Sequence, residues 1–121
     1  MAHLGLIVKD VEQSSQFYQQ VCGCEPVRAL QSELIKIQFL SADGVSIELL
    51  QHLTGDPEKH RGAGVVDHVA FIVDDLKAEV AKLRAAGIKI TVEPRSSIIG
   101  ADIVFFAGPD GERVEFIQPT K

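Results

Sequence analysis

A chain of 121 residues, 45% hydrophobic and 24% charged, has the makeup of an ordinary folded domain with enough apolar surface for a core, and not that of a disordered chain. Its formal net charge is −5, with no basic run and no interleaving of Arg or Lys with aromatic residues, which argues against nucleic acid or an anionic membrane as the main partner. No apolar run reaches the roughly 18 residues of a membrane span and the N-terminus lacks a signal-peptide layout, so a cytoplasmic location is expected.

The first predicted element is a strand over residues 3–8, where His3, Gly5 and Ile7 alternate with Leu4, Leu6 and Val8 and so give the strand two unlike faces. Asp10 with Gln13 resembles a capping box, and Ser14, Phe17, Tyr18 and Val21 follow at helical spacing until Gly23 stops the helix. Cys22 and Cys24 match neither a disulfide framework nor a four-cysteine zinc site and read as reduced packing residues. Three strands are expected near residues 25–30, 35–41 and 46–51, the last two joined by the turn signal Asp43-Gly44. Residues from 52 to 64 are polar and carry Gly55, Pro57, Gly62 and Gly64, so they read as a linker in which His52 and His60 are solvated.

The second half repeats that order. A strand at 68–73 leads into a helix at 75–86 with Leu76, Val80 and Leu83 on one stripe and Gly87 as its stop. Strands near 88–93, 102–107 and 112–118 follow, with Asp110-Gly111 at the last turn. Ser96, Ser97 and Gly100 are expected to interrupt two strands and leave Arg95 to Gly100 as a mobile, substrate-facing segment. One domain, residues 1–121, is therefore expected to hold two βαβββ modules, about 1–52 and about 65–121, joined by a linker at about 53–64.

The repeat extends to the polar residues. His3 recurs as His68, Val8 as Val73, Asp10 as Asp75 and Glu48 as Glu115. Strand alternation puts Leu4, Leu6 and Val8, Val69, Phe71 and Val73, Ile47 and Leu49, and Val114 and Phe116 on faces suited to covering by the helices. The opposite faces carry His3, His68, Glu48 and Glu115, with the small Gly5 and Ala70 beside the histidines. A carboxylate in mid-strand is costly to bury unless it is paired or bound to a cation. One such histidine or glutamate would be unremarkable as a packing or surface residue. Four in symmetric places point to a site for a divalent first-row ion, with room left for water or substrate.

The motifs His3-Leu4-Gly5-Leu6-Ile7-Val8, Ser46-Ile47-Glu48-Leu49-Leu50, Asp67-His68-Val69-Ala70-Phe71-Ile72-Val73-Asp74-Asp75-Leu76 and Gly108-Pro109-Asp110-Gly111-Glu112-Arg113-Val114-Glu115-Phe116-Ile117 together resemble the vicinal oxygen chelate superfamily. This is the glyoxalase, bleomycin-resistance and dioxygenase group, and the similarity is above all to glyoxalase I (lactoylglutathione lyase) and methylmalonyl-CoA epimerase. The resemblance implies an α+β fold in which two βαβββ modules form a curved mixed sheet around a metal-binding cavity, with the helices on the outer face. Homodimers are common in the family. It also implies His3, Glu48, His68 and Glu115 as metal ligands, Ni, Co, Mn or Zn as the ion, and Glu115 and Glu48 as the catalytic carboxylates. The implied activity is that of a metal-dependent lyase or isomerase that moves a proton on the carbon next to a carbonyl through a metal-stabilised enediolate. A hemithioacetal or an acyl-CoA thioester would be the substrate.

Two departures bear on the substrate. Bacterial glyoxalase I relatives often carry an arginine for the glutathione tail where this chain has Ile7, so another basic residue would have to serve. Epimerase relatives usually place glutamine where this chain has Glu48, although the run from Arg61 to His68 resembles theirs. An Fe(II) dioxygenase would use two histidines and one carboxylate, and Glu48 as a fourth ligand disfavours it. A metal-free drug-binding module of the bleomycin-resistance kind is the alternative of another class. Such modules generally rely on an aromatic-lined cleft, and this chain has no Trp.

Overall fold

The structure is a computed structural model that describes residues 3–54, 66–97 and 100–120. The chain divides into two units, Met1–Ala63 and Gly64–Lys121.

In the first unit, strand β1 (Leu4–Ile7) runs into helix α1 (Val11–Gln20), and strands β2 (Glu25–Gln31), β3 (Ile35–Ala42) and β4 (Val45–His52) follow as an antiparallel meander. The meander brings β4 back beside β1 in parallel, so the sheet order is β1-β4-β3-β2. The second unit has the same plan. Strand β5 (His68–Ile72), helix α2 (Leu76–Ala85) and strands β6 (Ile90–Ser97), β7 (Ala101–Ala107) and β8 (Arg113–Pro119) form a sheet of order β5-β8-β7-β6, with β5 parallel to β8. The strands thus assemble as two four-stranded mixed sheets, each with one helix, in an α+β fold. No helix among the described residues is long and apolar enough to cross a membrane.

Local chemistry accounts for the element ends. The Asp10 carboxylate accepts from Gln13 N–H at 3.1 Å, and Asp75 accepts from Ala78 N–H at 3.1 Å, so each helix has a side-chain cap for a donor that the helix itself leaves unpaired. A second cap was not foreseen. Gln51 Oε1 accepts from Val11 N–H at 2.9 Å, and Gln118 Oε1 accepts from Leu76 N–H at 2.7 Å, which pins each helix start to the end of its unit's fourth strand. Asp43 and Gly44 both have positive φ, 51° and 81°. A two-residue hairpin turn needs this if its twist is to match the strands it joins.

Alternation in the strands separates the two sheet faces. Ile47 and Leu49 are buried with Val8, Val11, Tyr18 and Leu40, and Val114 and Phe116 with Leu76, Val80, Leu83, Val104 and Phe106. The helices pack against these sheets, α1 on β2 to β4 and α2 on β6 to β8. Each fully buried large side chain of this kind contributes about 1.5–3 kcal/mol. Strand β7 is buried on both faces, because Ala101, Ile103 and Phe105 form a further apolar cluster with Val92 and Ile117.

Three expectations are corrected. Arg95, Ser96 and Ser97 do not interrupt a strand: they pair with Ile103, Asp102 and Ala101, and the Ser96 hydroxyl donates to Asp102 at 3.0 Å. Polar side chains are compatible with a strand wherever the backbone ladder is complete and the side chains meet solvent or each other. Residues 98 and 99 of that expected segment lie outside the described residues. His3 sits one residue ahead of β1, and His52 is the last residue of β4, opposite Ile35, and not part of a loop. His60, most of the expected linker and the start of the Arg61 to His68 run fall in residues 55–65, outside the described residues.

Candidate metal centre

Register decides which side chains meet. Across the parallel β1–β4 ladder Gly5 lies opposite Glu48, and across β5–β8 Ala70 lies opposite Glu115. Directly opposed residues share a sheet face, so each glutamate is on the face that carries its unit's histidine and points away from the helix. A glycine and an alanine at the opposed positions leave the carboxylates room.

Each unit accordingly brings one histidine to one glutamate. His3 Nε2 is 3.4 Å from Glu48 Oε1, and His68 Nε2 is 3.3 Å from Glu115 Oε1. The glutamate side chains are largely buried, at 16% and 7% exposure, while His3 and His68 keep 39% and 35%. A carboxylate held this far from water needs a cationic or donating partner. Two donors about 2.0–2.2 Å from one first-row ion, at angles from tetrahedral to octahedral, stand roughly 2.8–3.6 Å apart. Both histidine–glutamate pairs have that spacing, so each fits as two adjacent donors to one ion. Within either unit, no third His, Cys, Asp or Glu among the described residues joins the pair to make a larger ligand group.

The aromatic neighbours were missed from sequence. The His3 ring meets the Phe39 ring edge-on with centroids 5.6 Å apart, and His68 meets Phe105 in the same way at 5.2 Å. Phe39 lies opposite Glu48 in the β3–β4 ladder, and Phe105 opposite Glu115 in β7–β8. The repeat itself carried the signal, since these two phenylalanines recur at nearly the same offset as the glutamates. Each imidazole is thus confined between an aromatic ring and a carboxylate.

The second unit has more around its histidine. His68 Nδ1 is 2.7 Å from Asp67 Oδ2, the same carboxylate oxygen accepts from Arg113, and the Arg113 guanidinium lies 4.5 Å over the centre of the Phe105 ring. The hydrogen bond with His68, aided by the charge of Arg113, holds the exposed Asp67 carboxyl below its ordinary 3.8. A groove between α1 and strands β2 and β3, lined in part by Glu12, Gln16, Leu30 and Lys36, contains neither member of the His3–Glu48 pair.

The sequence profile of the Glyoxalase/Bleomycin resistance protein/Dioxygenase superfamily matches residues 1–116. A lactoylglutathione lyase of Haemophilus influenzae is 34% identical over 123 residues, a match covering 96% of this chain and 90% of that protein. The mitochondrial methylmalonyl-CoA epimerase of Mus musculus is 29% identical over 127 residues, covering 96% of this chain and 71% of that protein. The solved structure of the trypanothione-dependent glyoxalase I of Leishmania major superposes with a TM-score of 0.82 at 26% identity, covering 98% of this chain and 85% of the other. The repeated βαβββ unit is thus shared with enzymes of one group across nearly the whole chain, and the protein belongs to the glyoxalase/bleomycin resistance protein/dioxygenase superfamily.

Proposed function

We propose that the protein is a metal-dependent lyase or isomerase of the glyoxalase I type, acting on a small molecule with a proton on the carbon next to a carbonyl. His3, Glu48, His68 and Glu115 would be the ligands, contributed within one chain or across a homodimer, and Ni, Co, Mn or Zn the ion. The carrying observation is the duplicated histidine–glutamate spacing of 3.4 and 3.3 Å, which suits adjacent donors on one ion. When bound, the ion supplies polarisation of the carbonyl oxygen and stabilisation of the negative charge that develops there.

The chain's own part is positioning and proton transfer. Glu115 or Glu48 takes the proton from the substrate carbon and returns it to the neighbouring position, the kind of step in which a placed base contributes about 10²–10⁴-fold. Glu115 is assigned the larger part in this transfer because it is the more deeply buried of the two, which withholds solvent from the carboxylate and the carbon beside it. Phe39 and Phe105 hold the imidazole planes and keep water off one side of each pair. Relatives named for a glutathione adduct and for an acyl-CoA, matched over nearly the whole of this chain, both support proton transfer next to a carbonyl as the common chemistry.

One observation favours the acyl-CoA substrate as a second reading. Ile7 is 54% exposed on the strand face that carries Gly5, so an apolar side chain stands where a carboxylate-bearing tail would want a cation. Metal analysis of the purified protein, followed by assays on methylglyoxal-glutathione hemithioacetal and methylmalonyl-CoA with Ni, Co, Mn or Zn added, tests both readings. Metal-dependent turnover of either substrate is expected. Tight binding of small molecules with no metal and no turnover would favour a binding module instead.

A further inference from the structure

The two histidines differ in what stands behind them. Among the described residues His68 has a carboxylate oxygen at each ring nitrogen: Asp67 at 2.7 Å from Nδ1 and Glu115 at 3.3 Å from Nε2. His3 has Glu48 at 3.4 Å from Nε2 and, among the described residues, no acceptor at Nδ1. The sequence shows the same asymmetry, because Ala2 precedes His3 where Asp67 precedes His68, and Ser46 stands two residues before Glu48 where Arg113 stands two before Glu115.

We infer that Asp67 is a positioning residue that presets the neutral His68 ring with its proton on Nδ1 and its lone pair on Nε2, so the second unit's pair takes up a metal ion ahead of the first. The inference rests on reading His68 and Glu115 as metal ligands. A neutral imidazole carries one proton, and it goes to the nitrogen with the shorter, better-placed acceptor. For His68 that is Nδ1, which frees Nε2 beside Glu115. For His3 the nearby carboxylate is that of Glu48, 3.4 Å from Nε2, which favours the proton on the nitrogen that would have to ligate. Arg113, stacked on Phe105 and bonded to Asp67, keeps the carboxylate from swinging away. Acceptors of this kind fix ring tautomer and orientation, and their loss typically weakens metal binding roughly 10- to 100-fold.

Nitrogen NMR of the imidazoles in the full-length, metal-free protein, held at a pH above the histidine range, reads the tautomers directly. The Nδ1–H form is expected for His68 and the Nε2–H form for His3. Asp67→Ala should shift His68 toward the Nε2–H form and weaken Zn²⁺ binding, measured by chelator competition, by roughly 10- to 100-fold. Asp67→Asn keeps an acceptor oxygen and should restore both the tautomer and most of the affinity. An Nε2–H His68 in the parent protein, an unchanged tautomer in Asp67→Ala, or an Asp67→Asn variant as impaired as Asp67→Ala would overturn the assignment. If the tautomers are as expected and the parent protein binds no Zn²⁺, the preset ring stands and the metal-ligand reading falls. If Zn²⁺ binds and the tautomers are reversed, only the role of Asp67 falls.

Discussion

Gly5 faces Glu48 directly across the parallel β1–β4 ladder, and a methyl group built on Gly5 would meet Leu50 Cδ1 at 3.3 Å and Glu48 Oε1 at 3.7 Å. The matching position opposite Glu115 is Ala70, so the fold accepts one methyl in that place. We expect Gly5→Ala to fold normally and to gain up to about 1 kcal/mol, because alanine restricts the unfolded chain more than glycine does. Gly5→Val adds branches that press on the carboxylate, and its Zn²⁺ affinity should fall by roughly tenfold or more. Melting temperature and chelator competition on the two variants check this pair of outcomes.

A glutamate-to-glutamine change keeps a coordinating oxygen and removes basicity. At matched metal occupancy, Glu115→Gln should lower kcat by roughly 100-fold or more, as expected for loss of a placed base, and Glu48→Gln should be milder. The motive is the deeper burial of Glu115. A larger loss in Glu48→Gln would reverse the roles. No loss in either variant would remove proton transfer by these residues from the mechanism.

Metal content should depend on pH in one direction. An imidazole ligates only when neutral, so a bound ion is released as acidification protonates the histidines. Stepwise dialysis followed by elemental analysis should show retention above the ordinary histidine range and loss below it. His3→Ala and His68→Ala should each lower metal content at neutral pH, with the His68 variant showing the greater loss.

The two cysteines should react unequally. Burial first, and the Asp43 charge second, push the Cys24 thiol up from 9.0 to about 11, whereas Cys22 is only half-buried. Thiolate is the reactive form, so in the folded protein at mildly alkaline pH Cys22 should be alkylated well before Cys24, and denaturant should expose both. The raised value also sets a sign for stability. The folded state's preference for the neutral thiol is intact below about 9 and is lost as pH rises through about 11, so this group destabilises the fold across that window. Mass spectrometry of alkylated protein and denaturant midpoints from pH 8 to 11 test the two statements.

Much of this was legible in the residues. Alternation along residues 3–8 and 68–72 fixes which face each side chain takes, because a strand has a period of two whatever surrounds it. The caps Asp10 and Asp75 and the turn Asp43-Gly44 are likewise local, depending on a few neighbouring dihedral angles, and so are readable from spacing alone. The duplication put a histidine and a glutamate on the same kind of face twice, and this pointed to a chelating site. Long-range pairing was not readable. Register across β4 and β1 or β8 and β5 sets the 3.4 and 3.3 Å separations, and it depends on how whole strands align. The same holds for Phe39 and Phe105, brought against the histidines by hairpin pairing, and for Arg113, which reaches Asp67 only because β8 returns beside β5. Arg95 to Ser97 mark the opposite failure: their polar composition suggested a break, and the β6–β7 ladder overrode it, since backbone hydrogen bonds form without regard to side-chain polarity.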